Sequence, residues 1–178
     1  RAPAQPASPS AKVLGCTPSL EAYGNAKTVM NHNSSRFGKF TRIHFDQRNW
    51  LVGADVVTYL LERTRVVTQC ADERNYHVFY QLFASAGAAE LGRLGLTAAA
   101  DCAYLAGGPI AVDAIDDAAR AREVAASMRT IGIEPAAQAH AHELLAALLH
   151  RGNVRVEPTD ADGRRAPDAA AAGAPKGH

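Results

Sequence analysis

Residues 31–39 read Asn31-His32-Asn33-Ser34-Ser35-Arg36-Phe37-Gly38-Lys39, which places two amides, two adjacent hydroxyls and two fixed cations directly before a β-patterned stretch. Whatever surrounds this run must hold a polar loop between a helix and a strand. An Asn amide donates to phosphate oxygens, and a Ser hydroxyl replaces a water on Mg²⁺, an ion that prefers hard oxygen ligands. An Arg guanidinium grips a carboxylate with two prongs. Those residue types together suit a loop that senses a bound polyphosphate and its metal, although an ordinary polar connection contains many of the same residues.

The pattern around the loop is mixed. Pro18, near the first turn of Ser19, Leu20, Glu21 and Ala22, opens a helix. Residues 39–45 carry Phe40, Ile43 and Phe45 among polar residues, and a second β-rich run covers 51–61. The residues between them, 46–50, are polar or turn-prone, so the spacing predicts an antiparallel hairpin. Tyr76, Phe79, Tyr80 and Phe83 fall at i, i+3, i+4 and i+7, a helical aromatic face expected in the core, with Asp72 placed to cap it. Residues 84–109 contain five glycines and predict loops and short helices.

Two longer helices follow. Ala121, Val124, Ala125, Met128 and Ile131 form one apolar stripe, behind the acidic start Asp116-Asp117 and ended by Gly132. Pro135 opens the next, whose predicted stripe is Ala141, Leu144, Leu145 and Leu148 and which Gly152 closes.

With its flanks, Glu21-Ala22-Tyr23-Gly24-Asn25-Ala26-Lys27-Thr28 and Phe40-Thr41-Arg42-Ile43-His44-Phe45, the polar run resembles the switch I region of the myosin motor head. Kinesins share an Asn-x-x-Ser-Ser-Arg core but continue with Ser-His, whereas Phe37-Gly38-Lys39 follows here. The runs 60–67, 73–82, 94–97, 113–117 and 144–154 are similar to the same family. The resemblance implies a mixed α/β chain: a slice of the myosin motor P-loop NTPase fold, with an antiparallel hairpin of the central sheet and several helices. It spans residues 13–156. Residues 1–12, rich in Pro, Ala and Ser, and 157–178, rich in Ala, Gly and Pro, are expected to be disordered.

Carried over from the family, Asn31 would contact the phosphates, Ser34 would line the γ-phosphate site and Ser35 would ligate Mg²⁺. Asn33 would belong to the same nucleotide-facing loop, and Arg36 would pair with a switch II glutamate as the site closes. ATP and Mg²⁺ are the implied cofactors, and actin filaments and the remainder of the motor head the implied partners. Met30 stands where the family usually has a basic residue, His32 where it often has Asp or Asn, and Arg151 where it usually has Leu. No Gly-x-x-x-x-Gly-Lys-Ser/Thr string occurs in these residues: Gly24 to Thr28 lacks the glycine spacing, and Gly38-Lys39-Phe40 fails at the hydroxyl. The switch II string Asp-x-x-Gly-Phe-Glu is also absent, which leaves Arg36 without an identified carboxylate. An unpaired guanidinium in a closed site would cost about 3–5 kcal/mol, so the loop is expected to be open and solvated.

Other classes are less well supported. Nineteen Lys and Arg against eighteen Asp and Glu leave a net charge of +1, which recommends neither nucleic acid nor an anionic membrane as partner. Cys16, Cys70 and Cys102 form no Cys-x-x-Cys pair, and no apolar run approaches the roughly 20 residues of a membrane span. A reducing compartment, the cytoplasm and its actin cytoskeleton, is the expectation. His140-Ala141-His142-Glu143 and His150 miss the zincin spacing because position 146 is Ala, and they are expected to be solvated. Asp113, Asp116 and Asp117 suit a helix N-terminus without any acid-base role. Two functions remain. One is a part of an actin-based motor that hydrolyses Mg-ATP; the other is a truncated myosin-like fragment without P-loop, switch II or ATPase activity, inert or acting as an interaction module.

Overall fold

A computed structural model describes residues 8–155. Ser8 caps the first helix, α1 (Pro9–Gly15), by accepting the Ala11 N–H at 3.2 Å. Pro9 opens the helix where a missing N–H costs nothing. The helix starts within the segment 1–12, four residues before position 13. Residues 1–7 and the 157–178 tail lie outside the described residues.

Helix α2 (Thr17–Gly24) leads into a two-residue strand β1 (Asn25–Ala26), which pairs antiparallel with β2 (Ser34–Ser35). The predicted hairpin follows as β3 (Gly38–Phe45) and β4 (Leu51–Tyr59), antiparallel from Gly38↔Tyr59 to His44↔Gly53, with the register shifting between His44 and Phe45. Asp46 shapes its turn, accepting the N–H groups of Arg48 at 2.8 Å and Trp50 at 2.9 Å. The chain then runs through α3 (His77–Ser85), α4 (Ala88–Arg93), α5 (Asp117–Ile131) and α6 (Pro135–Gly152). Mixed helices with two small antiparallel sheets match the expected class.

The aromatic stripe lies in the core. Tyr76, Phe79 and Tyr80 are buried with Leu82, Leu105 and Leu149, and Phe83 packs against them. Asp72 does not cap α3; it sits in a left-handed turn, φ 61°, too far upstream. Asn75 organises that entry instead. Its Oδ1 accepts the Tyr76 N–H at 2.8 Å, and its Nδ2 donates to the carbonyls of Val66 and Tyr104. Beside it, fully buried Arg74 pairs with Asp117 at 2.7 Å and stacks 3.6 Å over the Tyr80 ring. Burial raises the Asp117 carboxyl above its usual range, and the Arg74 hydrogen bond offsets part of that rise.

At the start of α5, Asp116 accepts the Ala119 N–H, so the acidic pair there is structural as expected. Helix α6 keeps its predicted limits but turns a different face inward. Leu145, Ala146 and Leu149 are buried, whereas Leu144 and Leu148 are 69% and 42% exposed. Of the α6 histidines, His140 and His150 are exposed as expected and His142 is half-buried, and two of the three also make contacts. His142 lies 2.9 Å from Glu90, and His150 donates through Nε2 to the Leu94 carbonyl at 2.8 Å. With Arg93–Glu143 at 2.7 Å, these contacts tie α6 to α4 and its exit. Arg151 is exposed, which explains how it stands where Leu is usual.

Candidate functional site

The polar loop is closed at its start by Thr28. The Thr28 N–H donates to the Asn31 carbonyl at 2.8 Å, and the Asn31 N–H returns to Thr28 Oγ1 at 3.1 Å. The chain then doubles back, pairing Ser34 and Ser35 with Ala26 and Asn25, and the Arg36 N–H donates to the Gly24 carbonyl at 2.8 Å. Gly24 is required there: a Cβ would lie 2.3 Å from Phe37 Cε1. From the other side, Lys27 Nζ donates to the Asp72 carbonyl and the Arg74 N–H donates to the Lys27 carbonyl. The loop is thus fastened at both ends by backbone groups, and its side chains are free to differ in task.

Asn31 is exposed, and its Oδ1 accepts the Asn33 N–H at 2.8 Å, which leaves the Nδ2 hydrogens available to an anion. Ser34 is half-buried, with Oγ 3.3 Å from Arg36 Nη1. Ser35 is exposed and donates its hydroxyl proton to the Phe37 carbonyl at 3.0 Å, so the lone pairs of Oγ face outward for a hard cation. These three residues fit a magnesium-bound polyphosphate. Asn33 is placed differently. Its Nδ2 donates to Glu21 at 3.0 Å, while its Oδ1 accepts from Asn25 Nδ2 at 3.0 Å and lies 3.2 Å from His77 Nε2. Its oxygen and one of its two Nδ2 hydrogens bond the protein, while the residue itself is exposed.

Arg36 is neither open nor unpartnered. Its Nε donates to Glu62 Oε2 at 2.5 Å, and the Glu62 N–H donates to the Arg36 carbonyl at 3.0 Å. Glu62 also accepts from Arg65 Nε at 2.7 Å, and Arg65 continues to Glu73 at 2.9 Å. The Arg36 hydrogen bond, with Arg65 behind it, holds the Glu62 carboxyl below its usual range. Asn31, His32, Asn33 and Ser35 are exposed, so the loop is solvated as expected. What failed is the expectation that Arg36 lacks a carboxylate, because β4 returns antiparallel to β3. That register sets residue 62 beside residue 36, and the sequence gives no local signal of it.

Glu62, His77 and Asn25 were absent from the expected site, since each reaches the loop through tertiary pairing. Among the described residues, no group of three or more His, Cys, Asp or Glu is placed to hold a metal, and none of the helices is long and apolar enough to cross a membrane.

The family described as Myosin head (motor domain) matches residues 4–174, past both limits of the 13–156 span. Unconventional myosin-Vb of Homo sapiens is 45% identical over 147 residues, covering 82% of this chain and 8% of that protein. Myosin-2B of Naumovozyma castellii is 43% identical over 152 residues, 85% of this chain and 11% of that protein. The chain spans about a tenth of the length of these relatives. A match of this extent, on a chain whose polar loop is built as described, shows that the protein belongs to the myosin head (motor domain) family.

Proposed function

We propose that this stretch is the switch I segment of an actin-based motor that binds and hydrolyses Mg-ATP to move along actin filaments in the cytoplasm. The observation that carries the reading is Ser35: exposed, with its proton committed to the Phe37 carbonyl and its lone pairs free. In this role Asn31 Nδ2 would donate to phosphate oxygens, Ser34 Oγ would line the γ-phosphate position and Ser35 Oγ would ligate Mg²⁺. Bound nucleotide would supply the phosphoanhydride whose cleavage the motor uses, and the metal would neutralise its charge. Arg36 has its charge balanced by Glu62 and exchanges that carboxylate for a switch II glutamate when the site closes.

Titrating the purified chain with fluorescent ATP, with and without Mg²⁺, tests this reading. Magnesium-dependent binding that Ser35→Ala abolishes supports it, and no binding at millimolar nucleotide counts against it.

A further inference from the structure

We propose that His77 is a positioning residue for the switch I loop, whose Nε2–H holds the Asn33 side-chain oxygen and, through it, the turn that presents Ser34, Ser35 and Arg36. The argument starts from Glu21. A carboxylate only accepts, so the Asn33 amide nitrogen must face Glu21 and its oxygen must face Asn25 and His77. That oxygen already accepts from Asn25 Nδ2, so the contact at 3.2 Å requires a proton on His77 Nε2.

In a neutral imidazole the other nitrogen is then bare, and His77 Nδ1 is buried without a hydrogen-bond partner among the described residues. A second proton there would face no acceptor. Burial, with the charges of Arg74 and Arg120, holds the ring neutral, its pKa lowered to about 4. The other charged or titratable groups around the adjoining cavity of about 130 Å³ are Glu21 of α2, His32 of the loop, and Arg120 and Glu123 of α5. Arg120 and Glu123 are paired at 2.8 Å.

Asn33 is therefore where three elements meet: α2 through Glu21, β1 through Asn25 and the core helix α3 through His77. His77 links the Asn33 side chain to the packed interior, since its neighbours Val78, Phe79 and Tyr80 are core. The adjoining Asn33 N–H fixes Asn31 Oδ1 at 2.8 Å, so the same anchor orients the amide that faces outward.

The consequence for nucleotide rests on the switch I reading, but the test needs none. Amide hydrogen exchange is measured on the 178-residue chain with His77→Leu, which removes the donor, and His77→Gln, which keeps one. His77→Leu is expected to speed exchange at Asn33 about tenfold, the worth of one ordinary hydrogen bond, with Leu82 in α3 unchanged. His77→Gln is expected to restore most of the protection. Equal loss in both variants, or no loss in either, overturns the proposal. Independently of any variant, ¹⁵N spectra of the wild-type imidazole at pH 7 should show the neutral Nε2–H tautomer; an Nδ1–H form or an imidazolium overturns it. Loosening by His77→Leu in a chain that binds no Mg-nucleotide would uphold the His77 role while removing the motor reading.

Discussion

Arg36 and Glu62, twenty-six residues apart in sequence, are joined twice: Nε to Oε2 at 2.5 Å, and the Glu62 N–H to the Arg36 carbonyl at 3.0 Å. The side-chain bond balances charge, and the backbone bond ties the switch loop to the segment that follows β4. Because Glu62 also holds nearly buried Arg65, one carboxylate supports two guanidinium groups.

Replacing that carboxylate with an amide, Glu62→Gln, is expected to lower stability by about 1.5–3 kcal/mol, the range for hydrogen bonds to charged groups. Urea denaturation at pH 7 checks this. The folded carboxyl titrates below its ordinary 4.5, so its contribution is present above that value and is lost as pH falls through the lowered one. The difference between wild type and Glu62→Gln should shrink over that acid range.

His77 predicts acid sensitivity over a higher window. Its ordinary value of 6.5 falls to about 4 in the folded chain, so the unfolded state binds the proton first. Stability is full above pH 6.5, declines as pH falls towards 4 and levels off below. The cost is on the order of 3 kcal/mol for a group this buried. Denaturation midpoints across this range should lose that part of their slope in His77→Gln.

Gly24→Ala tests the seat of the loop. The added Cβ would meet the Phe37 ring at 2.3 Å, which forces the ring or the loop to move at a cost of about 1–3 kcal/mol. In a double-mutant cycle, Phe37→Leu should recover part of that loss, because the clash is with the ring.

The inward face of α6 can be read by truncation. Leu149→Ala, at a fully buried position, is expected to cost about 2–5 kcal/mol, whereas Leu144→Ala, mostly exposed, should stay within about 0.5 kcal/mol. Thermal unfolding of the pair distinguishes this face from the one the helical stripe predicts.

What local chemistry specifies, the sequence alone determined: the β3–β4 hairpin with its five-residue connection, the aromatic face of α3, the Asp116 start and Gly132 end of α5, and the limits of α6. Periodicity, turn residues and caps are short-range signals, legible without a fold. The loop that carries Asn31, Ser34, Ser35 and Arg36 was legible too, since its residue types lie together in the chain.

Only the tertiary structure decided which groups that loop would meet. The return of β4 placed Glu62 against Arg36, and the packing of α3 set His77 beside the Asn33 oxygen. On α6, leucines 144, 145, 148 and 149 form a nearly continuous apolar band, so the choice of Leu145 and Leu149 over their neighbours fell to the helices they meet. Hydrophobic attraction is non-directional, and a hydrogen-bond donor donates to any suitable oxygen within reach. Partners separated by twenty or more residues are therefore chosen by geometry that exists only once the chain has folded.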